Sequence, residues 1–371
     1  MATAISTGTY TERIERAQGE MAQQGIDYLF IAPSSDLVYL LGYPAHTSER
    51  LTTLVIPREG RASVVVPKLE APRLDNRRDL VELQVWDETV DPVQLLCRSL
   101  GDLPGKTIGV SDQLWAGFLL KMMDACRGAR FVNADAVVKV LRVIKTPEEI
   151  GYMREAGRRT DDVWEEFIAT VKMAGRTEVE VARDLTAIML RHGLGDPAFM
   201  IVASGPGSAS PHYHTSERRI AEGDAVVFDF GGNIEGYKSD ITRTVHVGEP
   251  SEEFRKVYAI VDEARRAAFA AVRPGATCEN VDQAARDVIT QAGYGEHFIH
   301  RVGHGLGLDV HEEPYLVGGN TEQLREGMCF SDEPGIYLPG KFGIRIEDAV
   351  VCTTEGGEFL NNATHELVVM A

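Results

Sequence analysis

Residues 224–247, DAVVFDFGGNIEGYKSDITRTVHV, carry the pattern that decides the fold of the second half of the chain. The apolar run around Asp229 predicts a buried strand, and the β-branched run after Asp240 predicts a second strand. The glycine-rich segment between them predicts a turn. With Ile234 and Glu235 at the tip of a hairpin, Asp229 and Asp240 become direct cross-strand partners, whose Cβ atoms lie roughly 4.5–5.5 Å apart. Two like charges at that distance repel each other unless a cation lies between them, so the hairpin predicts a metal site.

Residues 331–348, SDEPGIYLPGKFGIRIED, repeat this arrangement with Glu333 and Glu347. Because these two glutamates are an even number of residues apart, an odd-length loop centred near Gly340 would bring them face to face. His304, in the stretch HGLGLDV, is a further possible ligand. Carboxylates and an imidazole suit Mn²⁺, Co²⁺ or Zn²⁺ rather than a thiolate-type site. A single acid is usually a solvated surface charge, but two such hairpins and a glycine-flanked histidine favour a metal centre.

These motifs resemble those of the M24 metallopeptidases, the family with the pita-bread fold. The family includes prolidase (Xaa-Pro dipeptidase), aminopeptidase P and methionine aminopeptidase. The resemblance covers essentially the whole chain and implies two divalent metal ions per subunit, with Mn²⁺ favoured over Co²⁺ and Zn²⁺. It implies that Asp240 and Glu347 bridge the metals, that Asp229 is another ligand, and that His304 and Glu333 each hold one metal. All of these ligand positions are intact, which argues against a metal-free hydrolase like creatinase.

The resemblance also implies the catalytic residues. Two metals about 3.5–4 Å apart can activate water and polarise a carbonyl, and Glu333 is then placed to act as the general base. His311 resembles the family histidine that hydrogen-bonds the substrate carbonyl and stabilises the tetrahedral intermediate. His212, in SPHYHTSE, resembles the histidine that contacts the scissile amide. His214 could be a further substrate contact or only a solvent-facing neighbour.

The expected substrate contacts are His300, Tyr315 and Arg345. His300 would wall the pocket for the leaving amino acid, and Arg345 would also orient the ligand carboxylates. In some prolidases the motif resembling HEEPYLV carries arginine where this chain has Tyr315, and that arginine is associated with gripping the dipeptide carboxylate. The tyrosine therefore puts a strict preference for dipeptides in doubt. Asp332, where the family usually has an aliphatic residue, is expected to point away from the metals because adjacent strand residues face opposite sides.

Two domains are expected, at residues 1–142 and 143–371, because a chain of 371 residues exceeds what one core usually serves. In the first, short strand patterns alternate with helical patterns, which predicts an α/β domain. The second would be the α+β pita-bread catalytic domain. Its first helix is predicted to begin at Pro147, because Thr146 and Glu149 complete a capping box. The resemblance implies that the first domain supports dimerisation and overhangs the active site.

Charge and composition exclude several kinds of partner. The net charge of −18 makes nucleic acid and anionic membranes unexpected partners, since both attract basic surfaces. The sequence contains no apolar run of about 18 residues, the length that a membrane-spanning helix would need. The N-terminus lacks the pattern of a signal peptide, so a cytoplasmic location is expected. The cysteines are scattered without a CxxC motif, which predicts free thiols at every position. They are Cys97, Cys126, Cys278, Cys329 and Cys352.

Several functions are compatible with these observations. Prolidase, a homodimer acting on small proline-containing peptides, is the first hypothesis, because the folded residues before Thr146 have no counterpart in methionine aminopeptidase. Aminopeptidase P, which acts on longer peptides, is the second. A hydrolase of a small non-peptide amide on the same fold is the third. A peptide-binding protein without turnover is disfavoured, because both His212 and His311 are present.

Overall fold

The computed structural model describes residues 5–195 and 197–370. The chain divides into two units, residues 1–142 and 143–371. Within the described ranges, no helix has the length and apolar character needed to cross a membrane.

The first unit combines a six-stranded sheet with α-helices, and a 3₁₀ turn lies at Ala71–Arg77. Its elements are α1 Thr7–Gln24, β1 Tyr28–Ile31, α2 Ser35–Leu41, β2 Thr53–Pro57, β3 Ser63–Pro67, β4 Glu82–Trp86, α3 Pro92–Ser99, β5 Thr107–Val110, α4 Ala116–Ala125, β6 Arg130–Asn133 and α5 Asp135–Arg142. The strand order is β4-β3-β2-β1-β5-β6. Strands β1, β5 and β6 are parallel, while β2 is antiparallel to β1 and to β3. The predicted alternation of strands and helices is confirmed.

A disulfide joins Cys97 in α3 to Cys126 at the end of α4. Their Cα atoms are 5.9 Å apart, within the usual range for a disulfide. The prediction of free thiols was therefore wrong for this pair. Both residues belong to one buried cluster of the first unit, and contact between two helices that are separate in sequence leaves no spacing signal. The remaining cysteines are free and buried, at Cys278, Cys329 and Cys352.

The second unit is built from two successive halves, each a helix pair followed by strands. The elements of the first half are α6 Pro147–Thr170, α7 Glu178–Arg191, β7 Phe199–Ser204, β8 Ala225–Gly231, β9 Asn233–Ile234, β10 Tyr237–Lys238 and β11 Ile241–Val247. Those of the second half are α8 Glu252–Ala271, α9 Cys278–Gln291, β12 Gly303–Gly305, β13 Glu312–Leu316, β14 Cys329–Asp332, β15 Gly335–Leu338, β16 Phe342–Arg345, β17 Asp348–Thr353, β18 Gly356–Phe359 and β19 Val369–Met370.

These strands form two larger sheets and two short ribbons. One sheet has the order β19-β11-β8-β7 and the other has the order β13-β12-β14-β17-β18. Strands β9 and β10 form one ribbon, and β15 and β16 form the other. Each ribbon is the tip of one of the two acidic hairpins.

The predicted start of α6 is confirmed. Pro147 is its first residue, and the Thr146 hydroxyl accepts a hydrogen bond from the backbone N–H of Glu149 at 3.3 Å. The Glu149 carboxylate accepts in return from the backbone N–H of Thr146 at 2.7 Å. The capping box therefore fixes the residue at which α6 begins.

Helix α6 packs against the strand that carries Asp229. The ring centroid of Phe228 in β8 lies 4.9 Å from that of Phe167 and 5.7 Å from that of Trp164. All three side chains are fully buried. Because residues alternate along a strand, the face of β8 opposite to Phe228 presents Asp229.

Candidate active site

The first acidic hairpin differs in register from the prediction. Its turn is Glu235–Gly236, both with positive φ (51° and 87°), and Ile234 pairs with Tyr237. Asp229 consequently lies opposite Thr242, so the predicted direct pairing of Asp229 with Asp240 was wrong. The reason is the turn chemistry, since a two-residue turn of this type needs left-handed residues at both central positions and glycine suits the second. Asp240 lies two residues before Thr242 and is a diagonal neighbour of Asp229 on the same face.

The second acidic hairpin has the predicted register. Gly335 pairs with Arg345 and Leu338 pairs with Phe342, which leaves a three-residue loop centred on Gly340. Gly340 adopts a positive φ of 77°. On the other side, β14 and β17 pair Asp332 with Asp348 in the same register. Glu333 and Glu347 lie between these two ladders and therefore face each other, as the odd-length loop predicted.

The predicted metal ligands line one cleft of about 690 Å³. Ligand atoms of Asp240, His304 and Glu347 all lie within 4.8 Å of one another. The Nε2 atom of His304 is 3.2 Å from Oε1 of Glu333 and 3.8 Å from Oδ2 of Asp240. The cleft is lined by Ala198, Phe199, Ile201, Pro211, His212, Asp229, Asp240, His300, Arg301, His304, Val310, His311, Glu333, Arg345 and Glu347. Thus residues that are more than 100 positions apart in sequence converge on one centre.

The carboxylates fit divalent cations on physical grounds. The Oδ1 atoms of Asp229 and Asp240 are buried and have no hydrogen-bond partner among the described residues. A buried, unpaired carboxylate oxygen is costly unless a cation or a donor satisfies it. Burial first, and neighbouring carboxylates second, raise the pKa of Asp240 and of Glu347 well above its usual value. Oxygen and imidazole donors of this kind suit Mn²⁺, Co²⁺ or Zn²⁺.

Arg345 and Thr242 link the acidic residues. Arg345 forms a salt bridge with Asp229 and donates from Nε to the Thr242 hydroxyl at 3.0 Å. That hydroxyl donates in turn to Oε2 of Glu347 at 2.6 Å. The position of Arg345 near the ligand carboxylates agrees with the expectation from the sequence, whereas Thr242 lies in none of the predicted site positions. The signal that could have found it is strand alternation, because Thr242 is two residues after Asp240 and shares its face.

His300 lines the cleft with both ring nitrogens already engaged. Arg345 donates to the Tyr337 hydroxyl at 3.0 Å, which leaves the hydroxyl proton for Nε2 of His300 at 2.9 Å. The other nitrogen, Nδ1, donates to the carbonyl oxygen of Arg301 at 2.7 Å. Burial lowers the pKa of His300, so the ring is neutral. His300 can therefore meet a bound molecule through its ring carbons only.

The two predicted catalytic histidines also line the cleft. The ring of His311 lies 4.1 Å from that of His304. Partial burial, followed by the charges of His304 and Arg301, lowers the pKa of His311 to about 4, so the neutral imidazole prevails at neutral pH. His212 is reached by solvent and lines the cleft, whereas His214 is not among its lining residues.

Tyr315 does not line the cleft, although the sequence suggested a substrate contact there. Its ring lies instead against the guanidinium of Arg301, whose Cζ atom is 4.2 Å from the ring centroid. Arg301 does line the cleft. Arg301 is not among the predicted site residues, because nothing in the stretch HRVGH indicates the direction of the arginine side chain.

Asp332 lies outside the residues that line the cleft, in agreement with the expectation from strand alternation. Its carboxylate is fully buried, and neither oxygen has a hydrogen-bond partner among the described residues. Burial raises the pKa of Asp332 well above its usual value, against the charge of Arg265. This acid therefore belongs to the interior behind the cleft.

Comparison with known proteins matches both units to described families. The sequence model for the Creatinase/Prolidase N-terminal domain matches residues 13–144. That for Metallopeptidase family M24 matches residues 151–354. The predicted combination of an α/β N-terminal domain and a pita-bread catalytic domain is thereby confirmed.

Individual relatives match over nearly the whole chain. The probable dipeptidase PepE of Mycobacterium tuberculosis is 44% identical over 366 residues, which cover 97% of this chain and 96% of the relative. An Xaa-Pro dipeptidase of Pyrococcus furiosus is 36% identical over 360 residues, which cover 96% and 99%. The crystal structure of recombinant prolidase from Thermococcus sibiricus superposes with a TM-score of 0.94 at 39% identity, covering 99% of this chain and 100% of that one. These matches establish that the chain belongs to metallopeptidase family M24.

Proposed function

We propose that this protein is a two-metal dipeptidase that hydrolyses the bond between an N-terminal residue and proline. The observation that carries the proposal is the convergence of four carboxylates and His304 on one cleft. Two of the carboxylates, Asp229 and Asp240, have a buried oxygen without a hydrogen-bond partner in the described part of the chain. The relatives named dipeptidase, Xaa-Pro dipeptidase and prolidase support the substrate class. Their names favour this activity over the hydrolysis of a non-peptide amide and over peptide binding without turnover.

The metals would be held by the five predicted ligands. They are Asp229, Asp240, His304, Glu333 and Glu347. When bound, divalent ions supply a Lewis acid that activates water and polarises the scissile carbonyl. We propose Mn²⁺ as the ion used, with Co²⁺ and Zn²⁺ as alternatives, because the donor set is rich in oxygen.

The chain's own residues then carry the proton transfers and position the peptide. Glu333 takes a proton from the attacking water and later passes it to the leaving nitrogen, a role typically worth about 10²–10⁴ in rate. His311, neutral because its pKa is lowered to about 4, donates an N–H to the carbonyl oxygen as negative charge develops there. His212 contacts the scissile amide. The carbon face of His300 forms one wall for the proline ring.

Proline release tests the proposal. Metal-loaded protein is incubated with Ala-Pro and with a longer Ala-Pro peptide, each in the presence of Mn²⁺ or of a chelator. We expect release of proline from the dipeptide and little cleavage of the longer peptide. The chelator should abolish cleavage of both substrates. Cleavage of the longer peptide at a similar rate would identify an aminopeptidase P instead. Cleavage of neither would contradict the assignment to proline peptides.

Assembly and location form a separate part of the proposal. We propose a homodimer that pairs through the first unit, residues 1–142, and a cytoplasmic location. Sedimentation velocity of the full chain should give the mass of a dimer, and deletion of residues 1–142 should abolish it. A monomer of the full chain would contradict the first part, and recovery of the protein outside the cytoplasmic fraction would contradict the second.

A further inference from the structure

Arg301 is a cation in the cleft that has no anionic partner in the part of the chain that the structure describes. Its guanidinium lines the cleft and stacks on the ring of Tyr315, with 4.2 Å between Cζ and the ring centroid. Across residues 5–195 and 197–370, its side chain forms no hydrogen bond or ion pair. An arginine stacked on an aromatic face remains charged and keeps the edge of its N–H groups free.

The other cation of the cleft cannot take this role. Arg345 is 3% exposed and is already used by Asp229, Thr242 and Tyr337. Among the described residues that line the cleft, Arg345 and Arg301 are the only two that carry a permanent positive charge. An anionic group on a bound molecule therefore has Arg301 as its available partner.

Tyr315, the aromatic support of Arg301, lies on a strand that pairs with the strand of the proposed metal ligand His304. Tyr315 in β13 is the antiparallel partner of His304 in β12. Its carbonyl oxygen accepts a hydrogen bond from the Asn320 side chain at 2.6 Å. Arg301 precedes β12 by two residues, so the guanidinium and the metal-ligating imidazole are held by one short segment. The sheet thus places the aromatic support of Arg301 directly opposite His304.

A free carboxylate entering this cleft needs such a cation. The four proposed ligand carboxylates would balance the charge of two divalent ions, so the loaded centre leaves no excess positive charge for a further anion. The guanidinium supplies that charge, because its planar group can bind a carboxylate through two parallel N–H donors.

We propose that Arg301, supported by Tyr315, binds the terminal carboxylate of the substrate and thereby selects free Xaa-Pro dipeptides over amides and longer peptides. The inference rests on the proposed function and adds the residue that determines its substrate class. It reverses the expectation drawn from tyrosine at position 315, since the cation comes from the neighbouring segment and uses the tyrosine as its support.

Binding of the free imino acid tests the inference without turnover. Calorimetry on the full-length, Mn²⁺-loaded protein would compare L-proline with L-prolinamide, which lacks the carboxylate charge. Since hydrogen bonds to charged groups are stronger than those between neutral groups, we expect proline to bind roughly 10- to 100-fold more tightly. Arg301→Gln should abolish this preference, and Arg301→Lys should keep part of it. Arg325→Gln, at an exposed arginine outside the cleft, is the matched control and should keep all of it.

Hydrolysis provides a second measurement. For wild type, kcat/KM should be higher for Ala-Pro than for Ala-Pro-amide, and Arg301→Gln should bring the two values to within about threefold. A variant that keeps the preference for carboxylate, or a wild-type protein that binds proline and prolinamide equally, would overturn the inference. If wild type prefers proline in calorimetry yet cleaves neither substrate, the proposed function fails while the carboxylate site stands. A thermal melt and the Arg301→Lys variant distinguish loss of the site from loss of folding.

Discussion

At the scale of single residues, the Thr242 hydroxyl connects Arg345 to Glu347, the glutamate proposed to bridge the metals. It accepts from Arg345 at 3.0 Å and donates to Glu347 at 2.6 Å. Valine has nearly the same shape but neither function. We therefore expect Thr242→Val to keep the fold and to lower metal affinity and kcat/KM by about 10- to 100-fold, as is typical when a partner of a metal ligand is removed.

Metal titration with an ion-sensitive dye and steady-state kinetics would measure both effects. Thr170→Val, at an exposed position near the end of α6, is the control and should match wild type. Unchanged metal affinity in Thr242→Val would show that Glu347 holds its position without this hydroxyl.

Replacement of a single ligand tests the centre itself. In Asp240→Asn a neutral amide replaces a buried carboxylate, so we expect metal content to fall and nearly all activity to disappear. Asp332→Asn is the matched control, because Asp332 is buried beside the ligand Glu333 yet does not line the cleft. That variant should keep its metal content in elemental analysis. A fully loaded and active Asp240→Asn protein would count against the assigned ligand.

At the scale of elements, Glu178 at the start of α7 organises the segment that carries His212. One carboxylate oxygen accepts from the N–H and the hydroxyl of Ser204, at 2.8 and 2.6 Å. The other accepts from the N–H and the hydroxyl of Ser216, at 2.9 and 2.7 Å. This carboxylate is fully buried, so the end of β7 and the segment after His212 are tied to one helix.

In Glu178→Gln an NH₂ group faces two of these donors. We expect a lower Tm together with a kcat reduced by about tenfold and an unchanged metal content, because the cost of unpaired buried donors is roughly 1–3 kcal/mol each. Glu180→Gln, in the same helical turn, keeps the capping box functional and is the control. A loss of stability without any change in kcat would mean that Glu178 does not position His212.

The two acidic hairpins show what could be predicted from the sequence at this scale. In the second hairpin, the even separation of Glu333 and Glu347 and the single Gly340 permit one centre, and the predicted register is confirmed. In the first, GGNIEG permits several turn centres, and the left-handed pair Glu235–Gly236 shifts the register from the predicted one. The candidate metal ligands could be recognised because each lies in a distinctive stretch, and they do line one cleft. Thr242 and Arg301 could not, since their roles depend on strand register and side-chain direction.

The cysteines of the two units should differ in reactivity. Burial raises the pKa of Cys278 and of Cys329 to about 12, and that of Cys352 to about 11, while Cys97 and Cys126 are bonded to each other. We expect no thiol to react with Ellman's reagent in the native protein. After denaturation, three should react without reductant, and all five after reduction. Five reactive thiols without reductant would contradict the bonded pair.

At the scale of the whole molecule, the metals should contribute to folding as well as to catalysis. Four buried or half-buried carboxylates face one cleft, and without cations their mutual repulsion is relieved only in part by Arg345. A ligand that binds the native state alone stabilises it by about 2.7 kcal/mol at 100 times its Kd. Removal of metal by a chelator should therefore lower the Tm by several degrees, and added Mn²⁺ should restore it. A Tm that does not respond to metal would contradict a centre held by these residues.

The neutral, fully hydrogen-bonded state of His300 has a consequence for which imino acids the enzyme accepts. With both nitrogens occupied by Tyr337 and by a main-chain oxygen, this wall behaves as a hydrocarbon surface. Such a surface discriminates between rings of different size, but it forms no hydrogen bond to a heteroatom in the ring. A single methylene in an apolar pocket is worth only about 1–3 kcal/mol of discrimination. Dipeptides whose proline ring has sulfur in place of a carbon should therefore be hydrolysed almost as fast as those with proline. Dipeptides with the six-membered homologue should be hydrolysed more slowly but still measurably.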